Sequence, residues 1–198
     1  MSPAPAKTSY LEIIRTARHL LETQGLENLS MQTLATALGV RAPSLYKHVE
    51  NKSQLVRVVL ESMLAELGEA LADAAQGRNP SADLRAMAIA YRAFAHEHST
   101  LYPLLYSSLS LEMQPDIRVS AAAVASLLNT MERWVSTERS LSAARIVVAF
   151  THGFVDMELA GAFRLGGNVE EAFELGIESL IQVLSLFNPQ SPEVPRRK

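Results

Sequence analysis

Residues Met31 to Val49 read MQTLATALGVRAPSLYKHV, and the order of small, apolar and polar side chains in this window decides the fold. Two helices that cross steeply through a short turn need a small residue where their backbones approach and a left-handed residue at the turn. They also need apolar residues that lock the second helix onto the first. Ala35, Gly39, and the set Leu34, Leu38, Val40 and Leu45 occupy those places. Once the second helix is locked, Arg41, Ala42, Ser44 and Lys47 project from its outer face, while Tyr46 and His48 reach sideways. Such donors read base edges or grip phosphates in a major groove. Two short helices around a glycine also occur in all-α proteins that never touch DNA, so the window alone leaves both readings open.

Outward from this window the apolar spacing is helical nearly throughout. No alternating segment is bounded by turn residues, and the chain reads as all-α. A first helix begins after Ser9, whose hydroxyl caps it with Glu12 in a Ser-x-x-Glu box, and stops at Gly25. Ser30 caps the next helix, and Pro43 opens the third, at a position whose backbone donor would be unpaired anyway. Asn51 and Gln54 start a long helix through about Ala75, which the cluster Gly77-Arg78-Asn79-Pro80 breaks. Further helices are expected at 82–98, 102–111, 116–136, 141–164 and 169–187, the last capped by Asn168 with Glu171. Residues 189–198 hold three prolines and end in Arg196-Arg197-Lys198, which predicts a disordered tail.

The composition narrows the function classes. In 198 residues there is no cysteine, which excludes a disulfide framework, a thiol nucleophile and cysteine-based metal sites. Residues 1–7 lack the apolar core of a signal peptide, and no uncharged run reaches the roughly 18 residues of a membrane span. A cytoplasmic location without membrane contact is the expectation. The net charge of −3 hides an asymmetry: residues 1–60 sum to +3 and the other 138 residues to −6. That suggests a small basic head on an acidic body.

The longer string Leu38-Gly39-Val40-x-Ala42-Pro43-Ser44-Leu45-Tyr46-x-His48-Val49-x-Asn51-Lys52, followed by Leu55, closely resembles the DNA-binding domain of the TetR/AcrR family of transcriptional repressors. The resemblance covers about residues 8–60. It implies phosphate contacts for Tyr46, His48 and Lys52, and base or methyl contacts for Pro43 and Ser44, with Gln32 on the supporting helix; Ala42, on the same DNA-binding face, is too small to hydrogen-bond a base through its side chain. Lys47 stands at a variable position facing the groove. Arg41 departs from the family's common Ser or Thr, which removes a helix cap and offers a bidentate guanine reader. Leu45 belongs to the core, and Tyr46 is expected with its ring inward and its hydroxyl outward. The implied organisation is a helix-turn-helix domain at 8–55, a helical ligand-binding and dimerisation domain at 56–188, and the tail at 189–198.

A second stretch, Arg145 to Phe163 (RIVVAFTHGFVDMELAGAF), is similar to the C-terminal domain of a TetR subgroup named for a Trp-His-Gly signature. His152-Gly153 and Glu158-Leu159-Ala160-Gly161 match, while Val148 stands at the tryptophan position. In that family the last two helices of each subunit pair into a four-helix dimer interface, which points to 141–164 and 169–187; burial within one subunit is the alternative. Between head and dimer helices lie Met87, Tyr91, Phe94, Tyr102, Tyr106 and Trp134, with Met63 and Leu67 on the long helix. As a set they suit an apolar or aromatic small molecule, although aromatics and methionines at helical spacing also make ordinary core. His152 and Asp156, four residues apart, orient a ligand group, bind a metal or form a structural pair; the last is favoured, because no further metal ligands are spaced to join them.

The leading expectation is a homodimer on palindromic double-stranded operator DNA, released by a small-molecule ligand, with no cofactor, metal or catalytic residue. An enzyme would draw on His96, His98, His152, Asp156 and Ser107, but no nucleophile elbow, HExxH pair or phosphate-cradling loop accompanies them. An all-α interaction module would leave the Arg41–His48 face without a purpose.

Overall fold

Side-chain caps set most of the helix starts. In the computed structural model, which describes residues 9–77 and 79–188, Ser9 Oγ accepts the Glu12 amide at 3.2 Å at the head of α1 (Tyr10–Asn28). Gly25 kinks that helix with φ 77° and ψ 171°, so the regular part ends where expected and one more turn follows. Ser30 heads α2 (Met31–Ala37): its Oγ accepts the Thr33 amide at 3.0 Å while Thr33 Oγ1 accepts the Ser30 amide at 2.9 Å. Two open donors are thereby satisfied reciprocally. Gly39, at φ 66°, supplies the left-handed turn. The chain then enters α3 (Ala42–Leu45), whose N-cap Arg41 makes no side-chain cap bond, as its departure from Ser or Thr predicts. At the head of α4 (Lys52–Ala74), Asn51 Oδ1 accepts the Gln54 amide at 2.8 Å, and the Gln54 side chain reaches back to the Glu50 amide.

The rest of the chain is helical too. Asn79 caps α5 (Pro80–Glu97) by accepting the Ala82 amide at 2.8 Å. A 3-10 turn at Tyr102–Leu105 precedes α6 (Ile117–Ala123), α7 (Ala125–Val135), α8 (Thr137–Leu159) and α9 (Val169–Ser185), the last capped by Asn168. Among the described residues every regular element is a helix, and the all-α expectation holds.

Three expected spans change. The helix expected at 102–111 is only the 3-10 turn, which ends at Tyr106, whose φ of −119° and ψ of 1° leave the helical range. The span 116–136 breaks at Val124 (φ −106°, ψ 9°). The break follows a close approach of backbones: a Cβ on Gly68 of α4 would lie 3.0 Å from Ala123 Cα. The helix expected at 141–164 runs instead over Thr137–Leu159, since Gly161 (φ 63°) turns the chain away. The tail expected at 189–198 lies outside the described residues.

The chain packs as two compact units, one of the residues up to Ala65 with Thr100–Ser120, the other of Glu66–Ser99 with the residues from Ala121 on. This cuts the chain elsewhere than the expected 55/56. The first half of α4 stays with the N-terminal helices, and the Asp116 amide, donating to Glu61 Oε1 at 3.0 Å, ties residues 100–120 to it. The core of the first unit includes Ile13, Ala17, Leu21, Leu34, Leu45 and Val49, all buried. In the second unit α5, α7, α8 and α9 pack together around Met131, Trp134, Val155 and Phe173. There the Phe150 ring rests on Gly176, where a Cβ would come within 2.0 Å of Phe150 Cζ.

Candidate nucleic-acid interface

Helix α3 is one turn long, and its position is set from inside. Leu45 is 0% exposed, with Leu34, Ala35 and Val49 buried, and Leu38 and Val40 half-buried. A helix anchored through one buried leucine leaves its outer side chains in water. Arg41, Pro43, Ser44, Lys47 and His48 are exposed, Ala42 is half-buried, and Gln32 on α2 is exposed. Ser44 donates its hydroxyl to the Arg41 carbonyl at 2.7 Å, which leaves the hydroxyl oxygen outward as an acceptor. Tyr46 corrects an expectation. Its side chain is 53% exposed rather than tucked inward, because Leu45 and Val49 already fill the inner face.

Lys52 holds a contact that sequence reasoning missed. It is half-buried, and its Nζ donates to the Leu26 carbonyl at 2.7 Å. In an unbroken helix the Ser30 amide would take that carbonyl, but it goes to Thr33 Oγ1 instead. Gly25 was the available signal, since a helix broken there exposes carbonyls that a later cation can cap. The ammonium keeps two further donors, so the bond to Leu26 aims it without exhausting it.

The residues expected to line a chamber fall in both units. In the first, Met63 and Tyr102 are buried and Tyr106 is 42% exposed. In the second, Leu67, Met87, Tyr91, Phe94 and Trp134 are buried. His152 is half-buried on α8 and Asp156 is exposed. Burial pushes the His152 imidazole below its ordinary 6.5, and the Asp156 charge opposes that shift.

Two polar clusters escaped the sequence, because their partners lie 50 or more residues apart. Asp83, 0% exposed, accepts from Arg133 Nη2 at 2.9 Å across α5 and α7. Arg92 forks onto Glu158 with bonds of 2.8 and 2.6 Å and reaches Glu170 with its third nitrogen at 2.5 Å. His96 Nε2 lies 3.0 Å from the same Glu158. The Arg92 fork holds the Glu158 carboxyl at about 2, burial opposing and His96 adding to the shift. Arg92 thus pins the end of α8 and the start of α9 to α5. The other groups that an enzyme would draw on are engaged: His98 with Glu66 at 3.0 Å, and Ser107 with the Leu104 carbonyl.

Comparison with known proteins agrees with this geometry. Residues 13–59 match the profile of bacterial regulatory proteins of the tetR family, and residues 84–180 match that of the tetracyclin repressor-like C-terminal domain. An uncharacterized HTH-type transcriptional regulator of Mycobacterium tuberculosis, Rv0681, is 32% identical over 162 residues, covering 79% of this chain and 73% of that protein. A TetR transcriptional regulator from Streptomyces coelicolor superposes with a TM-score of 0.71 at 17% identity, over 91% of this chain and 99% of that one. A TetR variant from Acinetobacter baumannii, solved in complex with minocycline, superposes at 0.63 with 22% identity, over 88% and 95%. These two share the fold. The family consists of regulators rather than enzymes. The chain belongs to the TetR family of DNA-binding transcriptional regulators.

Proposed function

We propose that this regulator is a repressor that binds a palindromic operator as a homodimer and leaves it when a small apolar or aromatic molecule binds. The observation that carries the reading is the face of α3, where Arg41, Ser44, Lys47 and His48 stay exposed around a fully buried Leu45. Arg41 reads a guanine; Ala42, Pro43, Ser44 and Gln32 meet bases or methyl groups; Lys47 faces the groove. Tyr46, His48 and Lys52 hold phosphates, a role that the exposure of Tyr46 favours.

The dimer forms through α8 and α9. Their outward faces carry Ile146 and Met157, about half exposed, and Leu175, Val183 and Leu186, also exposed. Gly153 lies among the first pair, and a Cβ there would meet nothing within 4 Å, so a second helix has room to approach. The match at His152-Gly153 supports placing the chain in the Trp-His-Gly subgroup. The ligand-contact candidates are placed in each unit by itself: Met63, Tyr102 and Tyr106 in the first, and Leu67, Met87, Tyr91, Phe94 and Trp134 in the second, where His152 and Asp156 orient the polar end of a ligand. The minocycline complex of the Acinetobacter baumannii protein supports ligand binding by this fold. Functionally, residues 8–55 are the DNA-binding part and 56–188 the ligand and dimer part. No helix among the described residues is long and apolar enough to cross a membrane, in keeping with a cytoplasmic regulator.

Selection of binding sites by the purified protein from random duplex DNA tests the reading. Enrichment of a sequence with dyad symmetry, bound by two protomers, is the expected result. A monomer by light scattering, or enrichment of an asymmetric site, overturns the homodimer, and no enrichment overturns the DNA-reading face itself.

A further inference from the structure

Within the second unit α5 and α9 run antiparallel, and their facing flanks form a ladder of side chains. Arg85, Ile89 and Arg92 recur at helical spacing along α5, and Glu170, Glu174 and Glu178 along α9. Arg85 pairs with Glu178 at one end, and Arg92 pairs with Glu170 at the other. The middle rung sets Ile89 against Glu174. That rung lacks its cation: Glu174 makes no ion pair among the described residues, and Ile89 is left 57% exposed.

Beside the Arg85–Glu178 pair lies an open basin of about 520 Å³, lined by that pair together with Ile89, Phe173, Leu175, Ile177, Glu171 and Glu174. We propose that this basin binds a small amphipathic organic cation, with its ammonium on Glu174 and its apolar body over Ile89. The volume falls within the roughly 300–1,000 Å³ of small-molecule sites. The charge follows from which groups are already engaged. Both arginines are paired, and Glu171 accepts from Asn168 Nδ2 at 3.1 Å. Neither Glu171 nor Glu174 is in an ion pair among the described residues, so the two carboxylates repel anions, and Glu174 has its whole carboxylate open to a ligand. The basin shares no residue with α3 or with the ligand contacts proposed above, and only Leu175 with the proposed dimer face, so it stands or falls apart from the DNA and ligand readings.

The test titrates the full-length protein, methyl-labelled for NMR, with 4-phenylbutylammonium and with the isosteric neutral 4-phenylbutanol. Saturable shifts centred on the Ile89 methyls are expected, with the ammonium bound about fivefold tighter than the alcohol at low salt. The preference disappears in about 1 M salt, where the Debye length is about 3 Å. Glu174→Gln abolishes the preference and keeps the alcohol. Ile89→Lys, which supplies the missing cation, abolishes ammonium binding. Both positions are exposed, so both variants keep the fold, which a thermal melt verifies. Equal affinity for the two probes, shifts centred elsewhere, no saturation by either probe, or a preference that survives Glu174→Gln each overturns the proposal.

Discussion

At the scale of single residues, the proposed DNA-binding role gives the head one side chain that reads and one that both grips and braces. Lys52 is the second kind. A surface lysine that only met phosphate would cost DNA affinity alone when truncated, but this one also caps the Leu26 carbonyl left open by the Gly25 kink. Lys52→Ala is therefore expected to weaken binding to every DNA sequence alike and also to lower folding stability by about 1 kcal/mol, the usual net worth of a hydrogen bond. Urea unfolding in the absence of DNA, beside anisotropy titrations on specific and random duplexes, separates the two effects. Unchanged stability with weakened binding would reduce Lys52 to a plain phosphate contact. The residue roles differ in how far the sequence reveals them. The exposed set on α3 follows from local spacing around Leu45, whereas the Lys52–Leu26 bond joins residues 26 apart and needs the folded head.

At the scale of elements, the capped helix starts were mostly legible and some of the breaks were not. Ser9, Ser30, Asn51 and Asn168 cap helices through bonds to amides two or three residues away, and a contact that local is written in the sequence, whereas Asn79, read as part of a break, caps α5, and α8, which has no side-chain cap, starts four residues before the expected 141. The break at Val124 and the hub at Arg92 depend on neighbours brought together by tertiary packing, which no window of sequence contains. The hub gives a pH test. The Glu158 carboxyl is lowered from its ordinary 4.5 to about 2, so the unfolded chain binds its proton first as pH falls. Its stabilising contribution is complete above about 4.5 and is lost as the pH drops toward 2. The stability difference between wild type and Glu158→Gln, from urea melts along this range, is expected to stay level above 4.5 and shrink below it. A difference that stays constant down to pH 2 would refute the clamp. The outward face of α8 gives another. Gly153→Leu meets open space in the subunit, so the fold is expected to survive while the dimer comes apart and operator binding goes with it. Sedimentation of the variant together with its thermal melt reads both, and an intact dimer would move the interface off this face.

At the scale of the whole molecule, the account rests on α4, which runs unbroken from Lys52 to Ala74, 23 residues and about 35 Å at the usual rise. It begins beside the proposed phosphate contact and carries Met63 and Leu67 of the proposed chamber further along. If ligand and operator prefer different placements of this helix, each weakens the other by the same factor. A chamber ligand found by thermal shift is expected to lower operator affinity, and operator to lower ligand affinity equally. A bound chamber ligand that leaves operator affinity unchanged would refute the coupling and leave DNA binding intact. The central claim is that paired α3 faces read the operator, and parallel selections with wild type and Arg41→Ala test it most directly. The account predicts one palindromic site for the wild type, its half-site centres about 34 to 36 Å apart or a multiple of that. Arg41→Ala should relax one or two positions in each half-site, mirrored across the dyad. Identical sites for the two proteins, or no enrichment by the wild type, would contradict it.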